Sequence, residues 1–392
     1  MTSRAYLDWN ATAPLRPQAR AVMTETFGLI GNPSSVHAEG RAARVAVERA
    51  RAMVATLVGT DAGQVTFTSG GTEANMMALS PDWSAGKFHA GTVSAGFARL
   101  LVSAIEHPSI RQGGRFAADR VETIPVTDQG VVDLDALKAQ LQAGGPALVS
   151  VMLANNETGV IQPIPAIADL VHAAGGLLHV DAVQGPGRIP CDINALGADL
   201  LTISGHKLGG PKGAGAVVRR EGLHLSEPLI RGGGQERGLR AGTEDVAAIA
   251  GFGAAAEAAE AARETDAVQM AQLQGRLEAG IRAATPEAII FGQGAARLPN
   301  TTLFTHPGLK AETAVIAFDL EGVAVSSGSA CSSGKVQPSH VLAAMGMEAG
   351  LARGAIRIST GYATGEAQID HCLKAWIKLS ETLLKGRTII AA

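Results

Sequence analysis

Between Ala42 and Val218 the chain repeats one pattern: a short apolar run, a few small or polar residues, then a stretch with helical spacing. The runs Val65–Thr68, Leu100–Ala104, Leu148–Leu153, Leu177–Val180, Leu200–Ile203 and Ala216–Val218 read as buried strands. Ala42–Val58 and Ile164–Ala174 carry apolar residues at helical spacing. Strands that alternate with helices predict an α/β protein with a largely parallel sheet covered on both faces. In such sheets ligands bind beyond the C-terminal strand ends, so functional residues are expected just after the apolar runs. Glu244 to about Ala284 is rich in Ala, Glu, Gln and Leu and predicts a long helix, with a domain change within or near it.

Several polar residues stand where that rule places them. Ser204, Gly205, His206 and Lys207 follow the run Leu200–Ile203. Partial desolvation there favours a neutral lysine amine, which can condense with a carbonyl as a Schiff base. Asp181 ends the run Leu177–Val180, and a carboxylate beside a pyridine nitrogen keeps that nitrogen protonated. Gln184, three residues on, is placed to address a ring oxygen. The segment TSGGTEAN (68–75) leads from a strand through a Gly-rich turn into a helix, so Gly70, Gly71 and Thr72 suit an anion such as phosphate. Its spacing is neither a Walker loop nor GxGxxG. His107 and the Asn155–Asn156–Glu157 turn each follow a strand as well. His107 is placed to stack on a flat ring or shuttle a proton.

Two further residues lie in the C-terminal third. Cys331 is set in SGSACSSG (327–334), where small neighbours predict an exposed, mobile loop and a thiol free to react as thiolate. Cys191 and Cys372 lie among apolar or helical neighbours and read as inert. Arg357, in the alternating segment Ala355–Ser359, offers a fork that can hold a carboxylate by two bonds. Each feature taken singly also has a plain structural explanation: a solvated loop lysine, a capped helix start, a structural histidine, a surface arginine.

Bulk properties exclude other classes. A net charge of -3 without a dense Lys/Arg run argues against nucleic acid as the main partner. No stretch is apolar enough for a membrane span, and the first residues lack a signal peptide's apolar core. Three scattered cysteines form neither a disulfide framework nor a metal site, so a reducing cytoplasm is expected. The 48 glycines fit loops that approach a ligand closely, although a compositional bias explains them equally.

Taken together, the motifs resemble those of the NifS/IscS-type cysteine desulfurases, in the class V aminotransferase group of pyridoxal-phosphate (PLP) enzymes. They run in order through the chain: YLDWNATAP (6–14), GNPSSVHAEGR (31–41), FTSGGTEAN (67–75), EHPS (106–109), NNETGVIQP (155–163), HVDAVQ (179–184), SGHKLGGPKGAG (204–215), GGGQERGLRAGTED (232–245), SSGSACSS (326–333) and SHVLAAMG (339–346). The resemblance implies the aspartate aminotransferase-like fold: a large domain, residues 15–255, with a mostly parallel seven-stranded sheet, and a smaller α+β domain formed by 1–14 and 256–392. It implies that Lys207 carries the PLP and that Gly71, Thr72, Ser204 and His206 hold its phosphate. Asp181 pairs with the ring nitrogen, Gln184 and Asn156 address the ring oxygen or the substrate, and His107 stacks on the ring. Arg357 is similar to the residue that anchors the substrate carboxylate, and Cys331 to the cysteine that takes up the sulfur. Thr243 resembles a residue that reaches the neighbouring subunit's phosphate, which implies a homodimer with shared sites. The implied reaction converts L-cysteine to L-alanine and passes sulfur to an acceptor such as an iron–sulfur scaffold. Selenocysteine lysis, transamination or a purely docking role are the alternatives. The chain departs from the family pattern where LDWNATAP replaces the commoner LDNAATTP, and where Tyr362 stands in place of an Arg.

Overall fold

The computed structural model describes residues 4–85, 96–328 and 339–384. The expected strands form a single seven-stranded sheet: β1 (Val65–Thr68), β2 (Leu100–Ser103), β3 (Val121–Ile124), β4 (Leu148–Met152), β5 (Leu177–Asp181), β6 (Leu200–Ser204) and β7 (Gly215–Arg219). Their spatial order is β1-β7-β6-β5-β4-β2-β3. Every neighbouring pair is parallel except those of β7, which runs antiparallel to both β1 and β6. β1 therefore runs in the same direction as β6, and the ends Thr68, Asp181 and Ser204 share one edge of the sheet.

The expected strand positions hold to within a residue or two. β3 went unread because it is an edge strand: VETI is half-buried and alternates, and it lacks the continuous apolar signal of its neighbours. β4, β5 and β6 are buried throughout and pack in one hydrophobic cluster with the helices Ala38–Leu57 and Ile164–Ala173 and the first part of the helix Val246–Ala284. Each fully buried Leu, Ile or Val there contributes about 1.5–3 kcal/mol.

A second sheet is antiparallel: β8 (Ile289–Ile290), β9 (Thr301–Thr305), β10 (Ser326–Ser327) and β11 (Ile356–Ser359), in the order β8-β9-β11-β10. It shares a separate hydrophobic cluster with Leu7, Phe318 and Trp376. The helix Val246–Ala284 belongs to both cores. Its Ala255, Ala256 and Ala259 pack in the first, and Leu273, Leu277 and Ile281 in the second.

A buried ion pair ties the Gly-rich 232–245 segment to the start of the sheet. The two guanidinium ends of Arg51 donate to the Glu236 carboxylate at 2.6 and 2.8 Å, and Glu236 also accepts from the Phe67 backbone at 2.9 Å. Both side chains are buried, so breaking the pair would leave an uncompensated charge at a cost of about 3–5 kcal/mol. Among the described residues, no helix is long and apolar enough to cross a membrane.

Candidate active site

The site lies at the C-terminal edge of β5 and β6, with a lid of backbone from the chain's first residues. β6 ends at Ser204 and passes into a single 3₁₀ turn, Gly205–Lys207. The turn directs Lys207 inward, where its Nζ donates to the Asn10 carbonyl at 2.5 Å and the Ala11 carbonyl at 2.8 Å. Burial, reinforced by the nearby Arg357 and Arg188, pushes the Lys207 amine down to about 7, against opposing pulls from Asp8 and Asp181. A neutral lysine amine is thereby available near neutral pH.

Asp181 is the last residue of β5 and is 6% exposed. Its carboxylate accepts from Asn75 Nδ2 at 3.0 Å and from the Val183 backbone at 3.0 Å. Gln184 donates from Nε2 to the Asn10 carbonyl at 3.1 Å, while its oxygen accepts from Arg188 at 2.7 Å. Asn10 therefore meets both Lys207 and Gln184 through one backbone oxygen.

The Gly-rich turn stands beside them. Gly70 has φ 153°, a conformation open to glycine alone, and it starts the helix Gly71–Ala78. A Cβ at Gly215, where β7 begins, would come within 2.6 Å of the Gly70 backbone, so the two chains meet without side chains between them. A Cβ at Gly71 would lie 3.3 Å from the Cβ of Ser204. The Ser204 hydroxyl is buried beside this helix start and has no hydrogen-bond partner among the described residues. An unpaired buried hydroxyl next to free helix N–H groups is the kind of cradle an anion completes. Thr72 is exposed on the first helical turn. His206 lies within 3.2 Å of the Thr12 hydroxyl through Nδ1. Burial, with Lys207 and Lys212 adding to it, pushes its imidazole down to about 4.

His107 caps the short helix Pro108–Arg111. Its Nδ1 accepts from the Ser109 backbone at 3.2 Å, so in the neutral ring the proton sits on Nε2. The residue is exposed, yet partial desolvation and Lys207 hold its affinity for a proton below the ordinary imidazole value, with Asp181 opposing. Asn156 enters through its backbone carbonyl, which accepts from Asn10 Nδ2 at 3.1 Å and from Arg357 Nη1 at 3.0 Å. Arg357, on β11, is 1% exposed, and its Nη2 donates to Asp8 at 2.7 Å. Its Nε is buried without a partner among the described residues.

Thr243 sits on an exposed turn before the long helix, and among the described residues no hydrogen bond joins it to the others. Cys331 lies outside the described residues. Cys191 and Cys372 are buried, and burial raises both thiols, Cys372 to about 12, which fits the inert reading. The two departures near the site pack on each other. Trp9 and Tyr362 meet edge to face at 5.0 Å, Arg16 covers the Tyr362 ring at 4.0 Å, and the Tyr362 hydroxyl donates to the Pro14 carbonyl.

Reading strand ends alone missed Asn75 and Asp8. Asn75 bridges Asp181 and Ser109 with one amide nitrogen and accepts from Thr202 at 2.6 Å. The available signal was an amide three residues before the apolar Ala78 in the helix Gly71–Ala78, where Asn75 is buried.

The sequence pattern of the Aminotransferase class-V family matches residues 5–372. A cysteine desulfurase of Cereibacter sphaeroides is 43% identical over 376 residues, covering 95% of this chain and 94% of its own. The cysteine desulfurase IscS of Dictyoglomus turgidum is 37% identical over 390 residues, covering 98% and 96%. The crystal structure of a NifS-like protein from Rickettsia africae superposes with a TM-score of 0.87 at 36% identity, over 96% of this chain and 99% of that one. With the lysine, the carboxylate and the glycine turn at one sheet edge, the chain belongs to the class V aminotransferase family and, within it, to the NifS/IscS-type cysteine desulfurases.

Proposed function

We propose that the chain is a PLP-dependent cysteine desulfurase that converts L-cysteine to L-alanine and loads the sulfur onto Cys331. The observation that carries this reading is the grouping of three features at adjacent strand ends. These are a desolvated Lys207 amine, a buried Asp181 carboxylate, and a glycine turn facing the unpartnered Ser204 hydroxyl.

Those residues fit pyridoxal phosphate. Gly71, Thr72, Ser204 and His206 would hold the phosphate, Asp181 the ring nitrogen, Gln184 and Asn156 the ring oxygen or substrate, and Lys207 the carbonyl carbon. When bound, this group supplies an electron sink for charge that develops on the substrate's carbons. The chain's own residues do the rest. Arg357 holds the substrate carboxylate and so fixes which bond faces the ring. The Lys207 amine takes up and returns the proton at the substrate Cα, a task suited to a group near neutrality. His107 presents Nε2–H above the site and can pass a proton to the substrate. Cys331, as thiolate, attacks the substrate sulfur. A sulfur–sulfur bond forms, the substrate's carbon–sulfur bond breaks with its electron pair staying on carbon, and that carbon is then protonated to give alanine.

Further parts of the reading concern organisation. We place the division between residues 15–255 and the unit formed by 1–14 and 256–392, in line with the two hydrophobic clusters. A homodimer with shared sites is supported by exposed Thr243 and by the exposed apolar side chains Phe27, Ile30 and Val36. The sulfur then passes to an acceptor, in the setting of iron–sulfur cluster assembly, in the cytoplasm.

The test is to incubate the PLP-loaded protein with cysteine, measure alanine, and map added sulfur by mass spectrometry. The reading expects one alanine per sulfur lost and a 32-dalton-class addition on Cys331, absent in Cys331→Ala, whose cofactor spectrum should be retained. Alanine formed at the full rate by Cys331→Ala would refute the nucleophile.

A further inference from the structure

Residues 329–338, which include Cys331, are flanked by two described ends, and the downstream one is bonded to a buried acid. Glu157 lies in the turn after β4 and is 3% exposed. The turn is fixed by the Asn155 side-chain oxygen, which accepts from the Glu157 and Thr158 backbones at 2.9 Å each. On the downstream side, the Ser339 hydroxyl donates to Glu157 Oε2 at 2.5 Å. The same hydroxyl accepts from the Leu342 backbone at 3.1 Å as the cap of the helix His340–Ala344, so its single proton is committed to the carboxylate. The next residue reaches the other wall of the site: His340 Nε2 donates to the Glu106 carbonyl at 2.9 Å, one residue before His107. On the upstream side, Gly328 is tied by its backbone to the Ala355 carbonyl at 2.9 Å. A Cβ placed on it would stand 3.5 Å from Glu157 Oε2.

We propose that Glu157 and Ser339 are positioning residues for sulfur transfer: their hydrogen bond pins the downstream end of the cysteine-bearing segment to the Asn155–Asn156–Glu157 turn beside Arg357. The physical purpose is to shorten the search of the thiol. Fixing a chain end close to where a group must react lowers the entropy cost of bringing that group into place. Neither residue touches substrate or ring. Both act through where Cys331 can go, so the inference rests on Cys331 being the sulfur acceptor.

The experiment uses the PLP-loaded full chain and two readouts. The spectral change on adding cysteine reports binding at the Lys207 end, and single-turnover sulfur loading of Cys331 by mass spectrometry reports transfer. Ser339→Ala and Glu157→Gln are expected to keep cysteine-dependent spectral changes within about twofold of the parent chain. Sulfur loading should slow by about tenfold or more, the loss associated with leaving one buried polar group unpaired. Ser339→Thr, which keeps the hydroxyl, should restore most of the rate, and the double variant should be no slower than the slower single one. Loading at the parent rate in Ser339→Ala overturns the proposal. So does a parallel fall in both readouts, since that would mark a general packing role. Should Glu157→Gln fail to fold, Ser339→Ala and its threonine counterpart decide the matter alone. Label found on a residue other than Cys331 in the parent chain would instead refute the proposed nucleophile, a separate failure.

Discussion

Arg357 and Asp8 come from opposite ends of the chain, and Nη2 of the one donates to the carboxylate of the other at 2.7 Å. The pair sets the plane of the guanidinium while Nε stays buried and unpartnered. Arg357 is thus held in one plane, with donor capacity unspent among the described residues. Arg357→Lys keeps a charge and loses the fork. It is expected to raise the KM for cysteine by about 10–100-fold and leave the cofactor's absorbance unchanged, the loss corresponding to one charge-assisted hydrogen bond of about 1.5–3 kcal/mol. Steady-state kinetics beside an absorbance spectrum checks it. An unchanged KM would remove Arg357 from substrate binding.

Lys207 provides a pH test. Its amine is pushed down to about 7 from 10.5. Only the neutral amine can attack a carbonyl, so the rate at which PLP-free protein takes up PLP should climb as pH rises through about 7 and level off above it. For an unperturbed lysine the climb would continue to beyond pH 10. Stopped-flow absorbance from pH 6 to 10 measures the midpoint. Lys207→Ala should show no such covalent phase.

Asn75 holds Asp181 by a 3.0 Å bond and is itself held by Thr202. Asn75→Leu removes the donor and leaves Asp181 with one backbone bond. The carboxylate then loses the side-chain bond that fixes its orientation at the sheet edge. The expected result is weaker PLP retention, by about 5–100-fold, with a change in the pH midpoint of the bound cofactor's spectrum. Dialysis against a carbonyl scavenger, followed by spectral titration, reports both.

Glu106 and Glu157 oppose folding as pH rises. Burial raises Glu106 to about 8 and Glu157 to about 7 from 4.5, against smaller lowering influences from Ser103 and Met152, and from Ser339 and Arg357. Between about pH 4.5 and 8 the folded chain binds more protons than the unfolded one. The stability from these groups is therefore fully present below 4.5 and is lost as pH rises through 7 to 8. Glu106→Gln mimics the protonated acid. In PLP-free protein its stability relative to the parent should grow by about 1.4 kcal/mol per pH unit across that window. Denaturant midpoints at pH 5, 6, 7 and 8 give the slope, and a constant difference would show that Glu106 is ionised in the fold.

The sequence by itself determined the architecture and half the chemistry. Buried strands such as LLTIS are continuous apolar runs, and a polar residue that ends one must emerge at the ligand-binding edge. Position along the chain therefore singled out Lys207, Asp181 and His107 as candidates, and the fold sets them near that edge. Ser204 belongs with them, although its lack of a partner was visible only in three dimensions. The ordered motifs implied, by resemblance, roles that spacing alone left open. The tertiary structure decided everything that depends on a partner distant in sequence. Asn10 lends a carbonyl to Lys207 from 197 residues away, Asp8 orients Arg357 across 349, and Ser339 finds Glu157 across 182. Local periodicity reports the face on which a residue lies. Which side chain it meets there is settled by how the two sheets and the N-terminal segment pack around one edge, and that information resides in no single stretch of the chain.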